Sequence, residues 1–315
     1  QTVFVTGGSG GLGKAIAMQL AARGAHITLF SRRQGPLDEG RKEVLAKCPN
    51  PNQEVDVVAV DFAFRTQPRI ADILYCVAGG NHAENGFLAD IGARQLENCM
   101  RNNYYSAAFA AKSVLDIWIA DDDRRAISSQ PEHKRRQIVF INSAAAFVAL
   151  PGSIAYTPAK CAVRALADTL RMEVLRYCSP TTTYSIHCAF PADFVSPGFR
   201  LEQDTKTPLT KRMQGTDLTI EQLEAKFPSS DKVASLVIAA VDRGDFIICE
   251  DSPAASVLFP NMLGPSPKRG LGIFDTLMAP VMGWFVMPFL RWRWEGMTRR
   301  DGEEMRKARQ FHSHG

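Results

Sequence analysis

The stretch TVFVTGGSGGLGKAIAMQL (residues 2–20) constrains this chain more than any other. An apolar run of strand length ends in a glycine-rich loop, and a helical pattern begins at once. A strand that becomes a helix within so few residues needs a tight turn at the crossing. Gly7, Gly11 and Gly13 stand in the order T-G-x-x-x-G-x-G. The first permits the turn, the second lets a pyrophosphate approach the backbone, and the third lets helix and strand pack closely. Free N–H groups and the positive end of the helix dipole then favour phosphate. Ser9 and Gly10 complete the loop.

The same alternation continues down the chain. Strand-like apolar runs lie at 3–5, 25–30, 55–60, 72–78, 136–144, 183–190 and 245–249. Helical periodicity separates them at 12–23, 36–47, 92–119, 154–177 and 231–244,. Strands alternating with helices predict an α/β, doubly wound Rossmann fold with a parallel seven-stranded sheet. This dinucleotide-binding catalytic domain spans 1–250. Two places misfit. Only ten residues separate Asp61 from Asp72, short for a parallel crossover of about ten to twelve residues or more. The run ADDDRRAISSQPEHKRR (120–136) has no period and reads as a solvated surface loop,.

The end of the second apolar run selects the dinucleotide. A carboxylate there would accept hydrogen bonds from the 2′-hydroxyl of NAD. Here stand Ser31, Arg32 and Arg33. Cations suit a 2′-phosphate, so the expected cofactor is NADPH, with Arg32 as main contact and Arg33 as a second or a solvated charge. Asp61 is placed to meet the adenine edge or to cap the next segment. The net charge of +4 is too mild to imply nucleic acid,. Seven cysteines without C-x-x-C spacing read as reduced core thiols, with no metal site expected,.

INSAAAFVALPGSIAYTPAK (141–160) carries the reacting groups. Tyr156 and Lys160 are four apart and share one helix face. An ammonium beside a phenol favours phenolate and lowers its pKa, which would make Tyr156 a general acid near neutral pH. Ser143 follows a strand and can donate to the same substrate oxygen. Lys160 can also reach ribose hydroxyls. Asn103 is placed to hold a water linking Lys160 to solvent. Pro158 inside a helix would cost about 3 kcal/mol, so the helix is expected to begin close by.

On these residues the chain resembles the short-chain dehydrogenase/reductase superfamily. The matching pieces are TGGSGGLG (6–13), CVAGG (76–80, a variant of N-N-A-G), Asn103, Ser143, Tyr156-x-x-x-Lys160 and PADFVSPG (191–198). Two departures stand out: Pro191-Ala192 replaces P-G near the cofactor, and Cys76 replaces the first asparagine of N-N-A-G. The resemblance implies hydride transfer between a nicotinamide and a carbonyl or alcohol, with Ser196 beside the nicotinamide. It also implies a homo-oligomer paired through the helices at 92–119 and 154–177.

The C-terminal extension (251–315) carries LMAPVMGWFVMPFL (277–290), fourteen uncharged residues, followed by RWRWEGMTRR. A spanning helix needs about 20 apolar residues. Tryptophans beside arginines suit a membrane–water boundary. Segment 271–294 is therefore expected to associate with a membrane, or else to pack on the body or a second subunit. A lipophilic substrate follows. FPADFVSPGF (190–199) is similar to the P-x-D-x-x-[ST]-P-G-F of the 3-ketodihydrosphingosine reductases. That resemblance implies NADPH-dependent reduction of a long-chain keto-amine at the cytosolic face of the endoplasmic reticulum membrane, with 199–228 as a substrate lid. The alternatives are a reductase of another lipophilic carbonyl (steroid, retinoid or fatty acyl) and a non-catalytic nucleotide-binding scaffold at a membrane.

Overall fold

The first strand, β1 (Thr2–Thr6), is buried along its whole length. Val3 and Val5 enter one core layer and Phe4 the other, because side chains alternate across a strand. With helices on both faces, neither side needs polar residues, so the strand reads as one apolar run. The computed structural model describes residues 1–59, 64–81, 83–126, 132–148, 150–249 and 273–286, and scattered positions from 288 to 307.

The order is β1, α1 (Gly11–Ala22), β2 (His26–Phe30), α2 (Gln34–Leu45), β3 (Val55–Val58), β4 (Ile73–Cys76), α3 (Ala93–Met100), α4 (Ser106–Arg125) and β5 (Lys134–Ile141). Then follow α5 (Tyr156–Glu173), β6 (Thr182–Ala189), α6 (Pro197–Thr205), α7 (Pro208–Gln214), α8 (Ile220–Lys226), α9 (Ser230–Arg243) and β7 (Ile247–Ile248). The sheet has seven strands in the order β3-β2-β1-β4-β5-β6-β7. Every pairing is parallel. The doubly wound fold read from the sequence is thus the one formed. Strand order reverses between β1 and β4, and a crevice opens there at the carboxyl ends, where such sheets take ligands.

The short crossover after β3 has a physical solution. Among the described residues of this crossover, a 3-10 turn, Phe64–Thr66, stands in place of a full helix. Phe64 drops its ring between Phe4 and Phe30, at centroid distances of 5.5 and 4.6 Å. One large side chain therefore covers sheet surface that a helix would otherwise shield. Aromatic pairs of this kind add about 0.5–1.5 kcal/mol beyond their buried area.

Two expectations need correction. The helical pattern at 92–119 is not one α-helix: a π-helical turn, Arg101–Tyr105, separates α3 from α4. Nor is 120–136 a solvated loop throughout. Helix α4 runs on to Arg125, and β5 already begins at Lys134. Arg136 is 2% exposed. It ion-pairs with Asp121, Asp122 and Asp72, donates to the Ala71 carbonyl and lies over the Trp118 ring. Tyr184 donates its hydroxyl to Asp122. A charge that strong is tolerated inside only because carboxylates surround it.

Residues 196–229 leave the sheet and return to nearly the same point. Val195 N donates to Pro228 O at 2.8 Å, and Ser230 Oγ donates to Val195 O at 2.8 Å. Three short helices fill the excursion, each with a side-chain N-cap: Ser196, Thr207 and Thr219. Thr210 Oγ1 donates to Pro151 O at 2.7 Å and ties α7 to the loop before α5. Beyond residue 272, helix α10 (Ile273–Val281) contains Pro280 and passes into a π turn, Met282–Val286.

Candidate active site

The glycine loop closes onto β4 and α1 with little room. A Cβ on Gly13 would sit 2.4 Å from Gly7 O, and one on Gly7 would sit 2.9 Å from the backbone of Ala78. Gly7 also has φ +68, a left-handed conformation that favours glycine. Helix α1 starts at Gly11 with Gly10 as N-cap. Its first turn leaves backbone N–H groups without helical acceptors, facing a cavity of about 980 Å³,.

That cavity runs from the loop to the reacting residues. Ser9, Gly10, Gly11, Arg32, Arg33 and Ser196 line it. Ser9 Oγ meets Ser31 Oγ at 3.1 Å, joining loop to β2. Arg32 donates to Asn102 Oδ1 at 3.2 Å. Arg33 is the exposed N-cap residue of α2. No carboxylate stands among Ser31, Arg32 and Arg33, so the residues present fit a 2′-phosphate. Ser196 caps α6, accepting from Phe199 N at 3.0 Å. Asp61 lies outside the described residues.

Tyr156 is the first residue of α5. Pro158 therefore falls in the first turn, where the missing N–H removes no helical bond. The Ser143 hydroxyl lies close enough to the Tyr156 phenol to favour its ionised form. Ser143 is held in turn: its Oγ accepts from Ala145 N at 3.1 Å, and its N donates to Asn142 Oδ1 at 2.9 Å. Lys160 Nζ lies 5.5 Å from the Tyr156 ring centroid and donates to Ile141 O at 3.2 Å. Three residues from a strand end and a helix start thus meet at one wall of the cavity.

The electrostatics differ from the sequence expectation. Lys160 does not pull the Tyr156 phenol down. Burial pushes it above its ordinary value, the Glu202 and Asp193 carboxylates add to this, and the Ser143 hydrogen bond acts the other way. Lys160 itself is pushed down to about 8 by burial. The enclosure that brings the pair together also removes the water that would support phenolate. A phenol that keeps its proton at neutral pH is still the form a general acid needs.

Asn103 sits in the π turn and is 1% exposed. Its Nδ2 donates to Gly80 O and Cys99 O, and its Oδ1 accepts from Gly80 N at 3.0 Å. The side chain pins the 79–80 loop to the π turn.

Sequence reading missed a further group. Asp193 and Glu202 line the same cavity. Behind them Lys206, with its side chain fully enclosed, lies 3.1 Å from Glu202 and 4.0 Å from Asp193. Glu202 and Lys206 are four apart on a polar stretch, a spacing that an exposed helix face also produces. The signal available was Asp193, an acid inside the strand-end motif PADFVS.

Fold and site together define a dehydrogenase or reductase that works with a nicotinamide dinucleotide. The short chain dehydrogenase family profile matches residues 1–178. The chain belongs to the short-chain dehydrogenase/reductase family. It is 33% identical over 310 residues to 3-ketodihydrosphingosine reductase gsl-3 of Neurospora crassa, covering 91% of this chain and 79% of that one. Against 3-ketodihydrosphingosine reductase ksrA of Aspergillus fumigatus the identity is 31%, over 89% of this chain and 78% of the relative. The Bos taurus 3-ketodihydrosphingosine reductase is 27% identical over 90% and 83%. Among solved structures, levodione reductase aligns with a TM-score of 0.66 at 19% identity, covering 81% of this chain and 98% of that one. A Sphingobium yanoikuyae short-chain dehydrogenase in complex with NADPH aligns at 0.62 and 18%, covering 85% and 97%. Both support the fold.

Proposed function

We propose that this chain is an NADPH-dependent 3-ketodihydrosphingosine reductase, converting the 3-keto group to the alcohol of dihydrosphingosine in sphingolipid synthesis. One observation carries the reading. The Ser143, Tyr156 and Lys160 group lies on the cavity that begins at the glycine loop, in a chain matched along about nine-tenths of its length by reductases of that name.

The glycine loop, Ser9, Arg32 and Arg33 would hold NADPH, which supplies the hydride when bound. Tyr156 gives its proton to the carbonyl oxygen, and Ser143 orients that oxygen by hydrogen bonding. Lys160 packs over the Tyr156 ring and would hold the ribose hydroxyls of the bound nucleotide. Asn103 keeps the 79–80 loop against the crevice. Leu201 and Met213 line the cavity yet stay 57% and 54% exposed. They offer an apolar mouth for an alkyl chain, with 199–228 as the lid.

Purified protein mixed with NADPH and 3-ketodihydrosphingosine should oxidise the nucleotide, read at steady state. Arg32→Ala should lower the preference for NADPH over NADH about tenfold or more. No turnover of this ketone, with steroid or retinoid ketones reduced instead, would favour the broader lipophilic-carbonyl reading.

The proposed setting is the endoplasmic reticulum membrane, with the catalytic domain facing the cytosol. Among the described residues no helix is long and apolar enough to cross a membrane. Trp284 and Trp292 are 79% and 72% exposed, which suits a segment lying in the interface. Arg306 donates to Arg176 O and Cys178 O, touching the body. Flotation with anionic vesicles should carry the full chain upward and leave a chain ending at 270 below; equal partitioning would remove the anchor. Stacked Tyr105 and Phe109 stay exposed at the start of α4, the face by which a second copy would pair.

A further inference from the structure

The cavity wall formed by the segment after β6 gathers acids. Asp193 and Glu202 border the cavity, and Lys206 is their close cation. Two carboxyl groups thus share one ammonium. Lys226 is a weaker influence on Asp193, and its own Nζ is bound to Gly215 O at 2.7 Å. Lys160 is turned to Ile141 O. Lys206 also stacks over Phe199 at 5.5 Å from the ring centroid, which fixes it behind the acids.

A second, separate observation lies on the same cavity. Asn81 is 3% exposed and lines it. Its Nδ2 donates to Asn85, but its Oδ1 has no hydrogen-bond partner among the described residues. A buried acceptor left unmade costs about 1–3 kcal/mol, so such an atom points to a donor brought by a ligand. The cavity therefore presents a pair of carboxyl groups and a neutral acceptor, and among the described residues Lys206, behind the pair, is its close cation. A primary ammonium brings three N–H donors and one positive charge.

We infer that Glu202 and Asp193, with Asn81 Oδ1, form a subsite for the protonated amine of the substrate, next to the carbonyl that Tyr156 protonates. The inference rests on the reductase reading and adds how the substrate is told from other lipophilic ketones. In 3-ketodihydrosphingosine the amine is on the carbon beside the keto group, so the two groups enter the cavity side by side. The charge complementarity has a chemical consequence. Burial pushes both acids above their ordinary values, with Lys206 opposing. The same two acids hold up the Tyr156 phenol. An ammonium seated between them cancels that field and makes Tyr156 a stronger acid only when an amino ketone is in place. A steroid or retinoid ketone brings no such charge.

The test compares 3-ketodihydrosphingosine with its desamino analogue, the same chain with hydrogen in place of the amine. The readout is the ratio of the two kcat/KM values, with NADPH binding by fluorescence as the check that each variant folds. The wild-type chain should prefer the amino ketone by about thirtyfold or more. Glu202→Gln and Asp193→Asn, measured separately, should each reduce that ratio by about tenfold or more. If wild type reduces both ketones alike, or if both variants lose activity on the two in equal proportion, the amine subsite is overturned and the reductase reading stands. If wild type reduces neither ketone, the reductase reading itself falls.

Discussion

Tyr156→Phe is expected to lower kcat for ketone reduction about a thousandfold, within the range of about 10²–10⁴ that a positioned proton donor supplies. The phenyl ring still fills the first turn of α5 under Lys160, so NADPH affinity should change little. The split between lost kcat and retained binding separates a reacting group from a packing one. Single-turnover NADPH oxidation beside a fluorescence titration of NADPH reads both. A variant that kept a tenth of the wild-type kcat would remove Tyr156 from the role of acid.

Arg136→Met is expected to cost about 3–5 kcal/mol of stability, the loss usual when one partner of a buried ion pair is removed. That is a large part of the 5–15 kcal/mol or so that holds an ordinary domain folded. The charge arithmetic explains the size. Arg136 is the buried cation that Asp121, Asp122 and Asp72 share, and Tyr184 hydrogen-bonds to one of those acids. Without the guanidinium, Asp121 and Asp122 on α4 and Asp72 before β4 lose the buried cation they share and face one another as like charges. Urea denaturation gives the midpoint. Replacing Asp121 and Asp122 by asparagine in the Arg136→Met background should recover part of the loss. An unchanged midpoint in Arg136→Met would mean the cluster contributes nothing net.

The sequence disclosed what repeats locally. Parallel strands shielded on both sides must be apolar throughout, so TVFVT and HITLF stood out as strands, and the glycines between strand and helix marked the crevice. Tyr156 and Lys160 were legible because helix geometry converts a four-residue spacing into adjacency. Ser143 was legible from its place after a strand. Arg136 was not, since its partners sit on α4 and before β4, and a run rich in charges looks solvated until its tertiary neighbours are known. Glu202 and Lys206 were hidden for the same reason. The phenol's upward shift is not legible from the Tyr156–Lys160 spacing, because burial outweighs the pairwise attraction,. The π turn at Asn103 leaves no trace in periodicity, as it changes the helical winding over five residues.

The seam at Val195 and Pro228 bears on how such a chain can change over generations. Because the excursion of 196–229 departs and rejoins at one stitch, its length is not communicated to the sheet. Closing a loop of twice the size costs only about 0.6 kcal/mol more. Insertions, deletions or wholesale replacement of these three helices would leave β6, β7 and the nucleotide crevice where they are. Beyond Ser196, which lines the nucleotide cavity, selection can therefore rewrite what the enzyme accepts while leaving most of the reductant's contacts alone, and the acidic pair recruits one member from each side of that boundary: Asp193 before the stitch, Glu202 within the replaceable part.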